Sequence, residues 1–319
     1  MNKPNFFIAG APKCGTTALS EYLRTHPNIF MSLPKEPHYF AEDLPGQREV
    51  LTLEQYLKLF EDCTENHLAI GEASVLYLYS STAINNIYKF NPDAKIIVML
   101  RKPMELVYSF HYQLLYNRDE TIEDFASAWK LQSNRHQGID IPKSAKEPKL
   151  LQYSAVGMLG EQVEKLFNIF PSEQIKVILF EDFIRDTKFV YEDVLAFLEI
   201  PSDSKTNFPR INANTVQKSS WLADFVKSPP RPLKNVAIKT RNLVGLERLG
   251  ILKRIKMANT KITKRPTLDA NFQTELNNEF RDDIQKLSQT IGRDLSHWMG
   301  EEGDFVNSDL YSQLHNSAR

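Results

Sequence analysis

The stretch FFIAGAPKCGTTALSEYL, residues 6–23, reads as a short apolar strand, a turn holding two glycines and one lysine, and an amphipathic helix. A strand that passes through a glycine turn straight into a helix commits the chain to layered α/β architecture, because the helix must fold back over the strand it leaves. Four apolar runs, at 6–9, 68–73, 95–100 and 175–180, are continuous rather than alternating. That is the pattern of strands buried on both faces. Helical periodicities fall between them at 17–25, 53–60, 82–90, 104–117, 155–170 and 182–198. The expectation is a doubly wound parallel sheet with a modified phosphate-binding loop after its first strand. We read residues 1–300 as one domain and 301–319 as a polar tail, with SPPRP at 228–232 marking a break before a basic stretch and a long helix at 268–291.

Gly10 and Gly15 have the spacing of a nucleotide-binding loop, yet Thr16 stands where the Walker lysine belongs and Lys13 lies inside the turn. The amides of Gly15, Thr16 and Thr17 would face an anion docked on the helix N-terminus. Taken alone, the segment also fits a structural strand-to-helix turn with a threonine N-cap. In KIIVMLRKPMELVYSFHYQ, residues 95–113, a strand ends in Arg101, Pro103 opens a helix, and Ser109 lies two turns in. A Walker B strand would end in aspartate to hold Mg²⁺. Arginine there can instead fork onto a second phosphate, although a lone arginine at a strand end also reads as surface.

The formal charge of −1 over 319 residues gives no broad polyanion footprint and argues against nucleic acid as a partner. Residues 227–265 are an exception, with twelve Lys or Arg against the single acid Glu247. The stretch could dock an anionic glycan, a membrane surface or a phosphate, or be the solvated face of helices. Two cysteines, Cys14 and Cys63, make no disulfide framework, and no Cys/His cluster has metal-ligand spacing. No metal is expected, and a reducing, cytoplasmic setting is. No run approaches 18 apolar residues, so no membrane span is expected.

PKCGTTAL (12–19) together with RKPMELVYS (101–109) resembles the sulfotransferase family that uses 3′-phosphoadenosine 5′-phosphosulfate (PAPS). KEPHYF (35–40) is similar to a segment of its heparan sulfate and bacterial carbohydrate branch, and GEASVLYL (71–78), residues 161–183 and GRDLSHW (292–298) extend the resemblance. The resemblance implies that Lys13, Cys14, Gly15, Thr16 and Thr17 cradle the 5′-phosphosulfate, and that Arg101 and Ser109 take the 3′-phosphate. Arg210, Asn212 and Lys218 fall where relatives close a loop over the nucleotide. Lys13 is the cation for the leaving group and Glu36 the general base, with Lys35 and Lys13 the cations beside it. His111 ranks second as base and His38 third; the branch's second histidine falls at Gln113. The product would be 3′,5′-adenosine bisphosphate, and no metal enters.

Two departures bear on the acceptor. Ala73 stands where heparan sulfate enzymes carry lysine, and Leu159 where many relatives have tyrosine. The implied acceptor is a hydroxyl, with an amine less favoured, on a carbohydrate or small metabolite, in a cleft built from loops at 41–52 and 117–150. A nucleotide kinase or NTPase of similar fold is disfavoured by the absent Gly-Lys-Ser/Thr and by Arg101. A noncatalytic PAPS- or glycan-binding protein draws support from Ala73 alone. Nothing in the sequence speaks to oligomeric state.

Overall fold

In this computed structural model the described residues are 2–211 and 265–300, with the backbone of two short antiparallel strands at 215–217 and 260–262. Asn212, Lys218, residues 227–264 apart from the second of those strands, and the tail 301–319 lie outside the described residues. Five parallel strands form the central sheet: β1 (Phe6–Gly10), β2 (Ile29–Met31), β3 (Ala69–Ala73), β4 (Lys95–Leu100) and β5 (Ile175–Leu179). Their order is β2-β3-β1-β4-β5. Phe6, Phe7, Ile8 and Ala9 of β1 are wholly inaccessible, as are Ile96 to Leu100 of β4. These central strands therefore need apolar side chains on both faces, which is why their sequences run without alternation.

The helices covering the sheet differ from the sequence expectation where a cap interrupts a continuous run. The periodicity at 155–170 is two helices, α7 (Tyr153–Gly157) and α8 (Leu159–Phe167). Asp283, on the long helix Ala270–Ile291, accepts hydrogen bonds from the amides of Gly160 and Glu161 at 2.7 and 2.9 Å, so a tertiary contact starts α8. Burial raises the Asp283 carboxyl above its ordinary range, and the two amides oppose the rise. The run at 182–198 likewise splits into Phe180–Arg185 and Thr187–Phe197, the second capped by Asp186 on the amide of Phe189 at 2.9 Å. Strand β2 escaped notice because it is three residues long.

Residues 117–150 are not simply a loop. They include short helices at Phe125–Lys130 and Gln132–His136, and a buried ion pair in which Arg135 donates to both oxygens of Glu120 at 2.6 and 2.9 Å. The Tyr153 hydroxyl donates to the same carboxylate at 2.7 Å, and the amides of Thr121 and Ile122 donate at 2.7 and 2.9 Å. These bonds hold the Glu120 pKa low against its burial. Among the described residues no helix is long and apolar enough to cross a membrane.

A buried pair is most damaging when only half of it is removed. Arg135→Met should destabilise the protein by about 3–5 kcal/mol in chemical denaturation, because it strands the Glu120 charge. Adding Glu120→Gln should recover part of that loss, since the amide oxygen still accepts from Tyr153 while the charge is gone. A double variant no more stable than Arg135→Met alone would show that packing, not charge, sets the cost.

Candidate active site

In an open parallel sheet, ligands sit outside the carboxyl ends of the strands where the winding direction reverses. Here the chain winds from β1 toward β3 and β2, then crosses to β4 and β5, so the reversal lies between β1 and β4. The turn after β1 carries Lys13, and Arg101 follows β4 directly. Sheet order therefore brings together two cations that are 88 positions apart in sequence.

The turn is shaped by close approach. Gly15 has φ of 89°, in the region that favours glycine, and a Cβ there would lie 3.0 Å from the Phe180 ring. Gly10 is equally constrained, because a Cβ would come within 2.7 Å of Leu78. Gly15 is also the N-cap of helix α1 (Thr16–Arg24), which has no acid in its first turn and no capping side chain. The amides at its start thus form a site suited to an anion. Thr16 is buried at this helix start, and Thr17 is half-buried. Cys14 is buried, its Sγ 3.3 Å from the Pro12 carbonyl, and burial pushes the thiol up to about 12.

Lys13 itself has φ of 65°, and its Nζ donates to Gln113 Oε1 at 3.0 Å. Burial and then the neighbouring Arg265 hold its pKa down to about 8, with Arg101 adding to the effect and Glu36 opposing it. Arg101 pairs with Glu105 at 2.6 Å and lies over the Phe180 ring, 4.9 Å from its centroid. Arg265 lies over Tyr112, 5.1 Å from its centroid, beside a bond from the Tyr108 hydroxyl to the Pro266 carbonyl at 2.7 Å. The sequence had offered Arg265 only as one end of a basic stretch. Its link to this site was not readable there, because the contact is made through Tyr112 on the helix Pro103–Asn117.

Glu36 is close enough to Lys13 to raise the lysine's pKa. Its amide donates to the carbonyl of Ala73, the last residue of β3, at 3.0 Å, and its carboxylate pairs with Lys35 at 2.5 Å. His38 is buried and its Nε2 has no partner among the described residues; burial lowers its pKa. His111 is turned into the core, with Nε2 2.8 Å from the Ile122 carbonyl, Nδ1 buried, and its ring against Phe125 and Tyr153. Its pKa is also lowered by burial. Ser109 is buried two turns into the helix after Arg101, and Leu159 is buried at the start of α8. Arg210 is exposed at the end of the first described segment. Arg101, Arg265 and Glu36 thus all act electrostatically on Lys13, Phe180 lies beneath Arg101 and against Gly15, and His111 faces away into apolar packing. No group of three or more His, Cys, Asp or Glu side chains able to hold a metal occurs among the described residues.

A profile of the sulfotransferase domain family matches residues 3–228, and the chain belongs to that family. It is 27% identical over 256 residues to carbohydrate sulfotransferase 15 of Mus musculus, covering 62% of this chain and 44% of that one. It is 24% identical over 293 residues to heparan sulfate glucosamine 3-O-sulfotransferase 5 of Mus musculus, covering 92% of this chain and 73% of the relative. The crystal structure of a sulfotransferase from Alicyclobacillus acidocaldarius superimposes with a TM-score of 0.67 and 28% identity, over 93% of this chain and 99% of that one. The chain spans less than half the length of carbohydrate sulfotransferase 15.

An anion bound beside Lys13 would favour its charged form against the burial and the neighbouring cations that depress it, so its pKa should rise on binding. Binding must then take up a proton just above pH 8, and anion affinity must fall as pH rises through that window. A titration of the Lys13 side chain by NMR, with and without bound 3′,5′-adenosine bisphosphate, should move its midpoint upward from about 8. A midpoint unchanged by the bisphosphate would place the anion elsewhere.

Proposed function

We propose that this chain transfers a sulfonate group from PAPS to a hydroxyl of a carbohydrate acceptor. The observation that carries the reading is the partly desolvated Lys13 on a left-handed turn, in the field of the cations Arg265 and Arg101 and of the carboxylate Glu36. That donor set suits an anionic co-substrate with two phosphates: Lys13 and the amides of the helix start follow β1, Arg101 follows the adjacent β4, and the Glu36 carboxylate acts on the lysine. PAPS, when bound, supplies the sulfonate together with a bisphosphate leaving group. In our reading Lys13 and the amides at the start of α1 bind the 5′ end, and Lys13 stabilises the charge that builds on the leaving oxygen. Arg101, held against Phe180, takes the 3′-phosphate with Ser109 nearby; Arg265 adds a third cation. Glu36 accepts the proton of the acceptor hydroxyl as its oxygen bonds to sulfur. His111 is left without a role, since its core position offers no path to an acceptor. The carbohydrate assignment draws on the names of the relatives, which act on carbohydrate and heparan sulfate. We extend the same reading to one domain over residues 1–300, supported by the packing of Leu276, Phe280, Ile284 and Leu287 into the common core. The two free cysteines support a reducing compartment such as the cytoplasm.

The acceptor class is tested by incubating the protein with ³⁵S-labelled PAPS and desulfated heparan sulfate, chondroitin or a panel of small alcohols. Label in a polysaccharide supports the reading; label confined to small alcohols overturns its carbohydrate part. For the nucleotide, 3′,5′-adenosine bisphosphate at a hundredfold excess over Kd should stabilise the protein by about 2.7 kcal/mol over the ligand-free state and raise the melting temperature well beyond AMP at the same concentration. Arg101→Ala should bring the two nucleotides close together, and equal shifts in the parent protein would remove Arg101 from the site. For the base, Glu36→Gln keeps size but not proton acceptance. Turnover should fall roughly 10²-fold or more while bisphosphate affinity stays near that of the parent.

A further inference from the structure

Behind the acceptor-side segment lies a carboxylate that the reaction does not use. Glu72, on β3, is wholly inaccessible, and so are its hydroxyl partners in Ser74, Tyr56 and Tyr77. Ser74 Oγ donates to Glu72 Oε2 at 2.7 Å; the Tyr77 and Tyr56 hydroxyls donate to Oε1 at 2.7 and 3.1 Å. Two of these oxygens in turn accept from the backbone that follows Glu36. The His38 amide donates to Ser74 Oγ at 3.1 Å, and the Phe40 amide to the Tyr77 hydroxyl at 3.4 Å. Tyr56 stacks on Tyr39, with ring centroids 4.7 Å apart and planes 16° from parallel. Together with the Glu36 amide on the Ala73 carbonyl, these contacts tie every second residue from 36 to 40 to the end of β3.

The polarity of the network is what a carboxylate alone can set. Burial raises the Glu72 carboxyl to about 7, with the three hydroxyls and Lys35 opposing the rise. Above that pH the carboxylate only accepts, so each hydroxyl spends its single proton on Glu72, and those of Ser74 and Tyr77 turn lone pairs toward the amides of His38 and Phe40. We propose that Glu72 is a positioning residue for Glu36, fixing residues 36–40 through the hydroxyls of Ser74 and Tyr77 and the ring of Tyr56. The proposal rests on the reading of Glu36 as the general base. A core role alone would not call for a charge: burying one is costly, and an apolar side chain would fill the same space without that cost. Lys35, paired with Glu36, also lies in the field of Glu72, so both carboxylates share one neighbouring cation.

Glu72→Gln is the sharpest variant, because it conserves volume while its NH₂ group donates and so competes with one hydroxyl for direction. Ser74→Ala and Tyr77→Phe each remove one relay and leave the carboxylate, which keeps the test open if Glu72→Gln folds poorly. Amide hydrogen exchange reads the segment without any acceptor. In Ser74→Ala and Tyr77→Phe the amides of Glu36, His38 and Phe40 should exchange roughly tenfold faster or more, while those of β1 and β4 keep the parent rates. Unchanged exchange at residues 36–40, or acceleration spread equally over β1 and β4, overturns the proposal. Kinetics add the link to Glu36, read as PAPS turnover with water or desulfated heparan sulfate as acceptor. Each relay variant should lower kcat roughly tenfold with KM for PAPS within about twofold, and should cost little more in a Glu36→Gln background. Equal losses in both backgrounds would make Glu72 a general stability element and sink the positioning role. Parent-level turnover in Glu36→Gln by itself would instead sink the base assignment on which this inference stands.

Discussion

An ammonium withdrawn from water in the field of two guanidinium groups is a charge arrangement that favours an anion. Lys13 is in that position, and the depression of its pKa to about 8 expresses the cost. A loss of this kind amounts to a few kcal/mol on an order-of-magnitude scale, and an incoming anion can offset it by neutralising the repulsion. The rest of the fold can be read as what holds this arrangement together. A fully buried β1 delivers the turn, the Phe180 ring limits Gly15 to having no side chain, and the same ring carries Arg101 on its face. One aromatic side chain therefore packs against both the turn after β1 and the arginine after β4. Removing water from around them also strengthens each interaction they make.

The two sides of the site are built differently. Around Lys13 and Arg101, position is set by backbone: a glycine turn, a helix start and the ends of two adjacent strands. Such elements leave little freedom once the sheet has formed. Glu36, by contrast, sits on an irregular segment with positive φ at Glu36 and His38, of 66° and 50°. Conformations of that kind persist only where the surroundings enforce them. Hydrogen bonds to Ala73, Ser74 and Tyr77 are the enforcement available here, and all three come from β3 or the residues just after it. Strand β3 neighbours β1 directly, so a residue pinned to the end of β3 is by that fact placed beside the turn that follows β1.

How much of this was legible in the sequence follows from the same distinction. Lys13, Gly15, Arg101 and the sheet itself are written in local pattern: continuous apolar runs, a glycine spacing, a proline opening a helix after an arginine. Glu36 was placed by resemblance only, because a glutamate in a loop has no local signature. Arg265 and Phe180 were missed as site residues since each acts through a partner far away in sequence, Arg265 beside Lys13 and Phe180 beneath Gly15 and Arg101. The break between α7 and α8 escaped for a parallel reason. Its cap comes from Asp283, more than a hundred residues further on, and no capping residue stands at Met158. By contrast, the break at Asp186 has its capping residue in place and could have been read.

Gln113 shows what one such long-range contact does to the chemistry. It occupies the position of the second histidine in the branch that the motifs resemble, and it holds the Lys13 ammonium at 3.0 Å. A histidine there would titrate near neutrality and could compete with Lys13 for a proton; an amide cannot. The Gln113 oxygen accepts and keeps no charge of its own, while its nitrogen is committed to Asn117 Oδ1 at 3.1 Å, which fixes which end of the amide faces the lysine. Lys13 is therefore oriented by a neutral acceptor while its titration is governed by burial and by the cations around it. In the reading proposed above, this divides the proton traffic: Glu36 accepts a proton from the acceptor, and Lys13 keeps its charge beside an anion.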